Sequence, residues 1–234
     1  MDIEQQRKNI GSLFDHIAGH YDDLNHILSL DIDKVWRRQG VRSLPDGSSC
    51  CLDVATGTAD LAIALVRRGK AKSVVGIDLS SEMMRIGAEK VAACGFSDAI
   101  TFQLADCAEL PFDDESFDVV TCSYGVRNFA RLDESLREMC RVLRPGGELM
   151  ILEFAYPSNP VIRALYDFYF TRLLPLVGRI ISHDRSAYDY LPASVKKFIY
   201  GREFTQHLED AGFVETSFKS QTFGISMLYK AKKQ

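Results

Sequence analysis

Apolar and polar positions along the chain change their spacing near residue 50. Before that point, apolar side chains recur three and four positions apart, at Ile10, Leu13, Phe14 and Ile17 and again at Leu24, Ile27, Leu28 and Leu30. This spacing predicts amphipathic helices within residues 1–46. From Cys50 onward, short apolar runs alternate with helical patterns, which predicts parallel strands joined by helical crossovers.

The alternating part predicts five strands and three helices. The predicted strands are Cys50–Val54, Ser73–Ile77, Ile100–Leu104, Phe117–Tyr124 and Glu148–Phe154. The predicted helices are Leu61–Val66, Glu82–Ala93 and Leu132–Leu143, the last ended by Pro145, Gly146 and Gly147. After a helix over Phe204–Ala211, the strands Phe213–Phe218 and Gly224–Lys230 follow each other directly. With no helix between them, they should be antiparallel neighbours.

These elements predict an α/β fold with a doubly wound, Rossmann-like sheet, mostly parallel with an antiparallel last strand. An N-terminal helical extension and a helical lid between strands 5 and 6 complete it. At 234 residues the chain has the length of a single domain. We divide it into an N-terminal helical segment (1–46), a ligand-binding core (47–156), a lid (157–203) and a terminal helix with two strands (204–234).

Composition and charge narrow the function classes. The net charge of -4 gives no support to nucleic-acid binding. The six cysteines form no C-x-x-C pair and the N-terminus lacks a secretory signal, so we expect a cytoplasmic protein. The apolar stretch Val161–Ile181 carries Arg163, Asp167, Arg172 and Arg179, too many charges for a membrane span. Two interpretations of this stretch remain: a lid over the ligand site, or an interfacial helix at the inner face of the membrane.

Small and acidic residues follow the predicted strands. In a doubly wound sheet, ligands bind beyond the carboxyl ends of the strands. Small residues let a ligand approach the backbone, and a carboxylate can accept both ribose hydroxyls. The candidates are Asp53, Gly57, Thr58, Asp78, Asp106, Cys107 and Ser123. Local capping is the alternative role for Asp53 and Asp106, and Cys107 would act through its backbone.

The loop after the first strand does not match G-x-G-x-x-G, because only Gly57 of its glycine positions is present. Fewer glycines favour an adenosyl ligand over a dinucleotide. We therefore expect S-adenosylmethionine as the cofactor.

Four stretches resemble the bacterial ubiquinone/menaquinone biosynthesis C-methyltransferase family along almost the whole chain. They are Tyr21–Ser29 with Trp36, Tyr124–Asn128, Arg141–Gly147 with Glu153, and Tyr188–Leu191 with Ser194. In that family, positions 58, 78, 106, 107 and 123 bind the cofactor. The chain departs from the family pattern at Asp33, often His, and at Ala155, often Ser. Ala55 and Ala59 stand where many related enzymes have glycine.

The resemblance implies methylation of a ring carbon of a prenylated quinol, most simply demethylmenaquinol. A quinol hydroxyl has a pKa near 10, so its ionisation at neutral pH costs roughly 4 kcal/mol. We assign Arg127 to stabilising the phenolate and Asn128 to orienting the ring hydroxyl. The candidates for the base are Glu153, His183 and Tyr188.

Other interpretations stay open. A small-catechol O-methyltransferase and a non-catalytic S-adenosylmethionine-binding protein share these features, and the pattern does not separate benzoquinol from naphthoquinol acceptors. A homodimer is also left open. His16, His20 and His26 lack a third ligand at a firm spacing, so no metal site is expected. Arg37, Arg38 and Arg42 are expected on a solvated face.

Overall fold

The fold was analysed in a computed structural model. It describes residues 10–16, 18–20, 29, 31–173 and 186–234, without the side chains of residues 20, 170, 173 and 186–191. Residues 10–16 are helical, as the spacing of Ile10, Leu13 and Phe14 predicts, and Ala18–His20 forms a 3-10 turn. The predicted apolar positions 24, 27, 28 and 30 lie outside the described residues.

The described residues form one seven-stranded sheet with the order β3-β2-β1-β4-β5-β7-β6. The strands are β1 (Ser48–Val54), β2 (Ala71–Asp78), β3 (Ile100–Leu104), β4 (Phe117–Ser123), β5 (Leu143–Phe154), β6 (Phe213–Gln221) and β7 (Ser226–Lys233). β7 pairs antiparallel with both β5 and β6, and the other strand pairs of this sheet are parallel. The predicted fold class, including the antiparallel last strand, is therefore confirmed.

Helices cover both faces of the sheet. They are α1 (Ile32–Arg42), α2 (Asp60–Arg67), α3 (Ser81–Ala93), α4 (Leu132–Val142), α5 (Pro160–Phe168), α6 (Ser186–Lys197) and α7 (Arg202–Asp210). A π-helical turn, Tyr169–Leu173, follows α5. Helices α5, α6 and α7 all lie between β5 and β6 in the chain, where the sequence pattern predicts added helices.

Two clusters of buried apolar side chains pack between the helices and the sheet, one on each face. The first joins α1, α2 and α3 to one face of the sheet through side chains such as Trp36, Leu65 and Val91. The second joins α4 and α7 to the other face through Leu136, Met139 and Phe204. Burial on both faces explains why the parallel strands have nearly continuous apolar runs rather than alternating ones.

Capping groups set two helix starts near the site. The Ser80 hydroxyl accepts a hydrogen bond from the Met83 N–H (3.1 Å) at the start of α3. At the start of α5, the Asn159 side chain accepts from the Val161 N–H (2.9 Å), and Pro160 occupies the first turn. Both helices begin a few residues after the end of a strand, β2 for α3 and β5 for α5, so their first turns lie beside the carboxyl edge of the sheet.

The start of β5 differs from the prediction. The sequence pattern places a helix-ending turn at Pro145–Gly147, but β5 begins at Leu143, where Leu143 already pairs with Phe117. The register shifts before Val119 pairs with Glu148. A Cβ on Gly147 would lie 2.8 Å from the Arg144 carbonyl oxygen and 3.0 Å from that of Asp118. Glycine is required at 147 because both the preceding backbone of β5 and the neighbouring strand β4 lie too close for a Cβ.

Within the described part of the chain, none of the helices is long and apolar enough to cross a membrane.

Candidate active site

A cleft lies at the carboxyl ends of β1 to β4, where the strand order reverses between β1 and β4. It encloses about 810 Å³, including the space at its open mouth. That size suits a small organic ligand. The predicted residues that line it are Gly57, Asp78, Asp106, Cys107, Ser123 and Asn128. Parallel strands therefore bring together residues up to 71 positions apart.

The loop from β1 to α2 passes under the cleft in a tight turn. Ala55, Gly57 and Ala59 have φ angles of 53°, 55° and 67°. The left-handed conformation costs roughly 1–2 kcal/mol for a residue with a Cβ. The two alanines that depart from the glycine pattern thus have a backbone conformation that glycine would adopt without strain. The loop keeps its shape because it is tied to the next strand, with the Thr56 N–H donating to the Ile77 carbonyl (2.9 Å).

Asp78 connects this loop to α3. Its Oδ2 accepts from the Gly57 N–H (2.8 Å), and its Oδ1 accepts from the Ser80 N–H (3.0 Å). Burial raises the pKa of the Asp78 carboxyl, and hydrogen bonds from Ser80 and Gly57 partly oppose that rise. Asp78 also lines the cleft, and a carboxylate oxygen can accept more than one hydrogen bond, as the predicted contact with a ribose requires.

Asp106 and Cys107 stand at the next strand end. Asp106 Oδ1 accepts from the Ala108 N–H (3.0 Å) and its Oδ2 from Arg131 (3.1 Å). The Cys107 thiol contacts the Ser135 hydroxyl at 3.2 Å, and burial raises the pKa of the Cys107 thiol to about 12. The thiol is therefore neutral at physiological pH, so the expectation of a backbone role for Cys107 fits its surroundings.

Two of the candidate cofactor residues point away from the cleft. Asp53 is 1% exposed and accepts hydrogen bonds from the Thr56 and Thr121 hydroxyls, each at 2.7 Å. Burial raises the pKa of Asp53 to about 6, although these two hydrogen bonds oppose the rise. Thr58 is 3% exposed and accepts from the Lys90 ammonium (3.1 Å). Both residues support the loop from beneath.

Arg127 and Glu153 form a buried ion pair beside the cleft rather than on its surface. Arg127 Nη1 lies 2.8 Å from Glu153 Oε1, and the side chains are 5% and 1% exposed. The guanidinium also donates to the Tyr124 carbonyl and to the Ser194 hydroxyl of α6 (3.3 Å). Glu153 further accepts from the backbone N–H groups of Arg127 (3.2 Å) and Phe154 (2.8 Å). Both oxygens of Glu153 thus accept hydrogen bonds, Oε1 from two donors and Oε2 from one.

The remaining two candidates for the base fall outside the described side chains. His183 lies outside the described residues. The backbone of Tyr188 belongs to α6, but its side chain is not described.

Sequence reasoning missed Tyr124 and Arg131, which also line the cleft. Tyr124 has a φ of 60°, and its ring stacks on Phe154 with centroids 4.5 Å apart. The motif that singles out Arg127 and Asn128 contains Tyr124, so its position was the available signal. Arg131 bridges Asp106 and Glu109, a pairing that needs the tertiary fold.

The N-terminal helical stretch closes one side of the cleft with Ile10, Gly11 and Phe14. It is fastened to α3 because Asp15 Oδ1 accepts from the Ser80 hydroxyl (2.5 Å). The periodic pattern identifies Ile10 and Phe14 as one apolar helix face but does not indicate that this face meets the ligand.

The expectation that Arg37 lies on a solvated face is wrong. Its side chain is 12% exposed and contacts Asp33 and Asp60, at 3.3 and 3.2 Å. Asp33 is itself 1% exposed and accepts from the Ser29 hydroxyl (2.7 Å). The position where the chain departs from the family pattern therefore holds a buried carboxylate that pairs with Arg37 within α1, and Arg37 in turn joins α1 to Asp60 of α2. Arg38 and Arg42 are exposed, as expected.

Among the residues that the structure describes, no group of three or more histidine, cysteine, aspartate or glutamate side chains could hold a metal ion.

Solved structures with similar folds include methyltransferases and one enzyme of different chemistry. The [4+2]-cyclase SpnF aligns with a TM-score of 0.73 at 17% identity, over 97% of this chain and 96% of its own. A methyltransferase from Thermotoga maritima, described as a possible histamine N-methyltransferase, aligns at 0.67 and 18% identity over 96% and 99%. These likenesses establish the fold alone, since one fold supports several reactions.

Sequence relatives are much closer. A demethylmenaquinone methyltransferase from Porphyromonas gingivalis is 42% identical over 230 residues, covering 97% of this chain and 94% of the relative. A ubiquinone/menaquinone biosynthesis C-methyltransferase from Geotalea daltonii is 41% identical over 235 residues, covering 99% of each. The model of the ubiE/COQ5 methyltransferase family matches residues 1–233. With its cleft at the strand-order reversal and its relatives aligned from end to end, the chain belongs to the ubiE/COQ5 methyltransferase family.

Proposed function

We propose that this protein transfers a methyl group from S-adenosylmethionine to a ring carbon of a prenylated quinol, with demethylmenaquinol as the preferred acceptor. The observation that carries the proposal is the cleft itself, with Asp78 and Asp106 at successive strand ends and Asn128 across from them. Full-length relatives named for demethylmenaquinone methylation support the acceptor class. The benzoquinol equivalent stays as an additional substrate, because other relatives are named for both pathways.

S-adenosylmethionine is the methyl donor of this enzyme, and when bound it supplies an electrophilic methyl group. We assign the ribose hydroxyls to Asp78 and the adenine amine to Asp106, next to the backbone of Cys107. The loop around Gly57 and the side chain of Ser123 line the rest of the cleft. Asp53 and Thr58 serve the same site from beneath, because they hold the loop in its strained conformation.

Acceptor activation is assigned to the turn that follows β4. Asn128 lines the cleft and is placed to orient the ring hydroxyl. Arg127 remains the cation of the site and favours the ionised hydroxyl. Because Glu153 offsets its charge, we propose that Arg127 acts largely by fixing Tyr124 and Asn128. Glu153 is occupied by three donors, which leaves His183 and Tyr188 as the preferred candidates for the base.

Helices α5 and α6 are proposed to cover the acceptor. Ser194 of α6 contacts Arg127, and Tyr166 of α5 is buried against Tyr156, so the inner faces of both helices lie toward the site. A polyprenyl tail requires apolar surroundings, which favours peripheral contact with a membrane surface. The cytoplasmic location and the homodimer stay predictions from the sequence.

An assay with labelled S-adenosylmethionine and a reduced demethylmenaquinone analogue tests the proposal. We expect label in the product on a ring carbon, and none when the quinone is kept oxidised. Label on oxygen would indicate a catechol-type O-methyltransferase. Cofactor binding without transfer to either class of acceptor would indicate a non-catalytic binding protein.

The pH profile separates the roles of Arg127. Arg127→Lys keeps the positive charge and should retain some activity, whereas Arg127→Ala should lose about 10²–10³-fold in kcat. Without the cation, the alkaline rise in rate should move to higher pH while cofactor affinity is unchanged. An unmoved profile together with a lower kcat in Arg127→Ala would exclude the charge role and leave Arg127 only the positioning of Tyr124 and Asn128.

A further inference from the structure

Helix α5 presents an apolar stripe away from the body of the protein. Val161, Leu165 and Phe168 are 66%, 61% and 56% exposed, and exposed Ala164 lies between them. Positions i, i+3, i+4 and i+7 share one side of a helix. The opposite side holds α5 in place, since Tyr166 is buried and Asp167 accepts from the Tyr156 hydroxyl (2.6 Å). The stripe is therefore a fixed surface.

A second exposed apolar group lies in the turn between β6 and β7. This group is Phe223, which is 77% exposed. Thr222 and Phe223 have φ angles of 43° and 56°, a conformation that costs on the order of 1–3 kcal/mol per residue. The turn is held by the Trp36 indole, which donates to the Thr222 hydroxyl (2.8 Å). The fold thus maintains a strained turn that directs an aromatic ring into solvent.

Stripe and turn belong to the same edge of the sheet. The Ala155 N–H donates to the Ile225 carbonyl (2.9 Å), and a Cβ on Gly224 would lie 3.7 Å from Pro157. The turn therefore packs along the segment that leads from β5 into α5. This is also the carboxyl edge, where the cleft opens. We call the surface formed by Val161, Ala164, Leu165, Phe168 and Phe223 the apolar edge.

Cations surround the apolar edge although the whole chain carries a net charge of -4. Arg163 and Arg172 are exposed on and just after α5, and Lys197 is exposed at the end of α6. The one carboxylate in the described part of α5, Asp167, is paired with Lys196 at 2.6 Å. The local excess of positive charge matches a negatively charged surface. It also disfavours a second copy of this chain, whose like charges would meet.

We propose that the apolar edge docks on a lipid bilayer that contains anionic headgroups. Phenylalanine and leucine side chains bordered by arginine and lysine are typical of helices that lie in the membrane interface. Docking would direct the cleft mouth toward the bilayer, where the apolar tail of the acceptor resides. This inference rests on the proposed function in one respect, namely that the acceptor carries an apolar tail.

Vesicle sedimentation tests the docking surface with a matched pair of variants. Val161→Glu and Val214→Glu each remove an exposed valine and each add one negative charge. Val161 lies on the apolar edge, whereas Val214 lies near the start of β6, at the opposite edge of the sheet. With vesicles of phosphatidylcholine and phosphatidylglycerol, Val161→Glu should partition about tenfold more weakly. Val214→Glu should partition like the unmodified protein. The unmodified protein should bind vesicles of pure phosphatidylcholine more weakly than the mixed vesicles.

Phe168→Ser and Phe223→Ser extend the test without added charge, and both should weaken partitioning. Equal losses in Val161→Glu and Val214→Glu, or no binding of the unmodified protein to either vesicle, would overturn the proposal. So would a dimer in sedimentation velocity that Val161→Glu disrupts while vesicle binding persists. Methylation of a tail-free quinol in buffer is measured in parallel. If the unmodified protein fails there, the proposed function fails, whatever the vesicles show.

Discussion

The Arg127 guanidinium donates to Glu153 Oε1 across 2.8 Å at a place where both side chains are almost completely buried. The pair joins the turn after β4 to the end of β5, and Ser194 adds a contact from α6. Removing one partner of a buried pair leaves an uncompensated charge, whereas removing both charges is often nearly neutral. Stability and activity should therefore respond differently to single and double substitutions here.

Arg127→Met is expected to destabilise the fold by about 3–5 kcal/mol, because Glu153 is left charged in an apolar setting. The double variant Arg127→Met, Glu153→Gln should recover much of that loss, since glutamine still accepts from the Phe154 N–H. Urea denaturation measures both. Methyl transfer should stay low in the double variant, and full recovery of activity would show that Arg127 has no role beyond stability.

Asp53 should make the fold less stable as pH rises. Burial raises the pKa of Asp53 from 3.8 to about 6, so between these values the folded protein keeps a proton that the unfolded chain has lost. The stabilisation from this group is complete below about pH 4 and is lost as pH approaches 6. Asp53→Asn should therefore gain stability relative to the unmodified protein over that range, on the order of 3 kcal/mol. Denaturation at several pH values checks this.

The exposed Asp98→Asn serves as the control for that measurement, because its side chain is in solvent. A stability difference between Asp53→Asn and the unmodified protein that does not change between pH 4 and pH 6 would contradict the raised pKa of Asp53.

Asp78→Asn should weaken S-adenosylmethionine binding more than about tenfold, because a charge-assisted hydrogen bond contributes roughly 1.5–3 kcal/mol. The amide oxygen can still accept from Gly57 or Ser80 but not from both, so the melting temperature should fall less than it does when both acceptors are removed. Asp78→Ala removes the acceptor of both N–H groups and should also lower the melting temperature. Calorimetry that finds equal cofactor affinity in Asp78→Asn and the unmodified protein would reject the ribose assignment.

Gly125→Ala should disturb the cleft through sterics. A Cβ at this position would lie 2.6 Å from the Ala55 Cβ and 3.0 Å from the Cys122 Sγ. Overpacking of this kind typically costs about 1–3 kcal/mol, and the affected residues line or support the cleft. We expect lower thermal stability and weaker cofactor binding, measured by melting and calorimetry.

Ala55→Gly provides the rescue, because it removes the 2.6 Å contact and relaxes a φ of 53°. The double variant should therefore regain affinity. Gly19→Ala is the comparison, since a Cβ there would meet no atom of the described residues within 4 Å. If Gly19→Ala and Gly125→Ala behave alike, the steric explanation is wrong.

The fold class could be predicted from sequence because apolar runs and helical spacing report which faces are buried. The strands β1 to β4 and the helices α2 to α4 all fall within about two residues of their predicted limits. The start of β5 could not be predicted from the sequence, because two consecutive glycines, at 146 and 147, are typical of a turn. Only the approach of β4 shows that Gly147 belongs to a strand.

At the site, too, the sequence predicts some features and only the tertiary structure decides the others. Sequence alone places Gly57, Asp78, Asp106, Ser123 and Asn128 at one edge, because the carboxyl ends of parallel strands converge there. It does not determine where a side chain points. Asp53 and Glu153 also stand at strand ends, yet one carboxylate bonds two threonines beneath the loop and the other holds Arg127. Those partners lie on other strands and helices, so only tertiary packing decided which acids face the ligand and which support the structure around it.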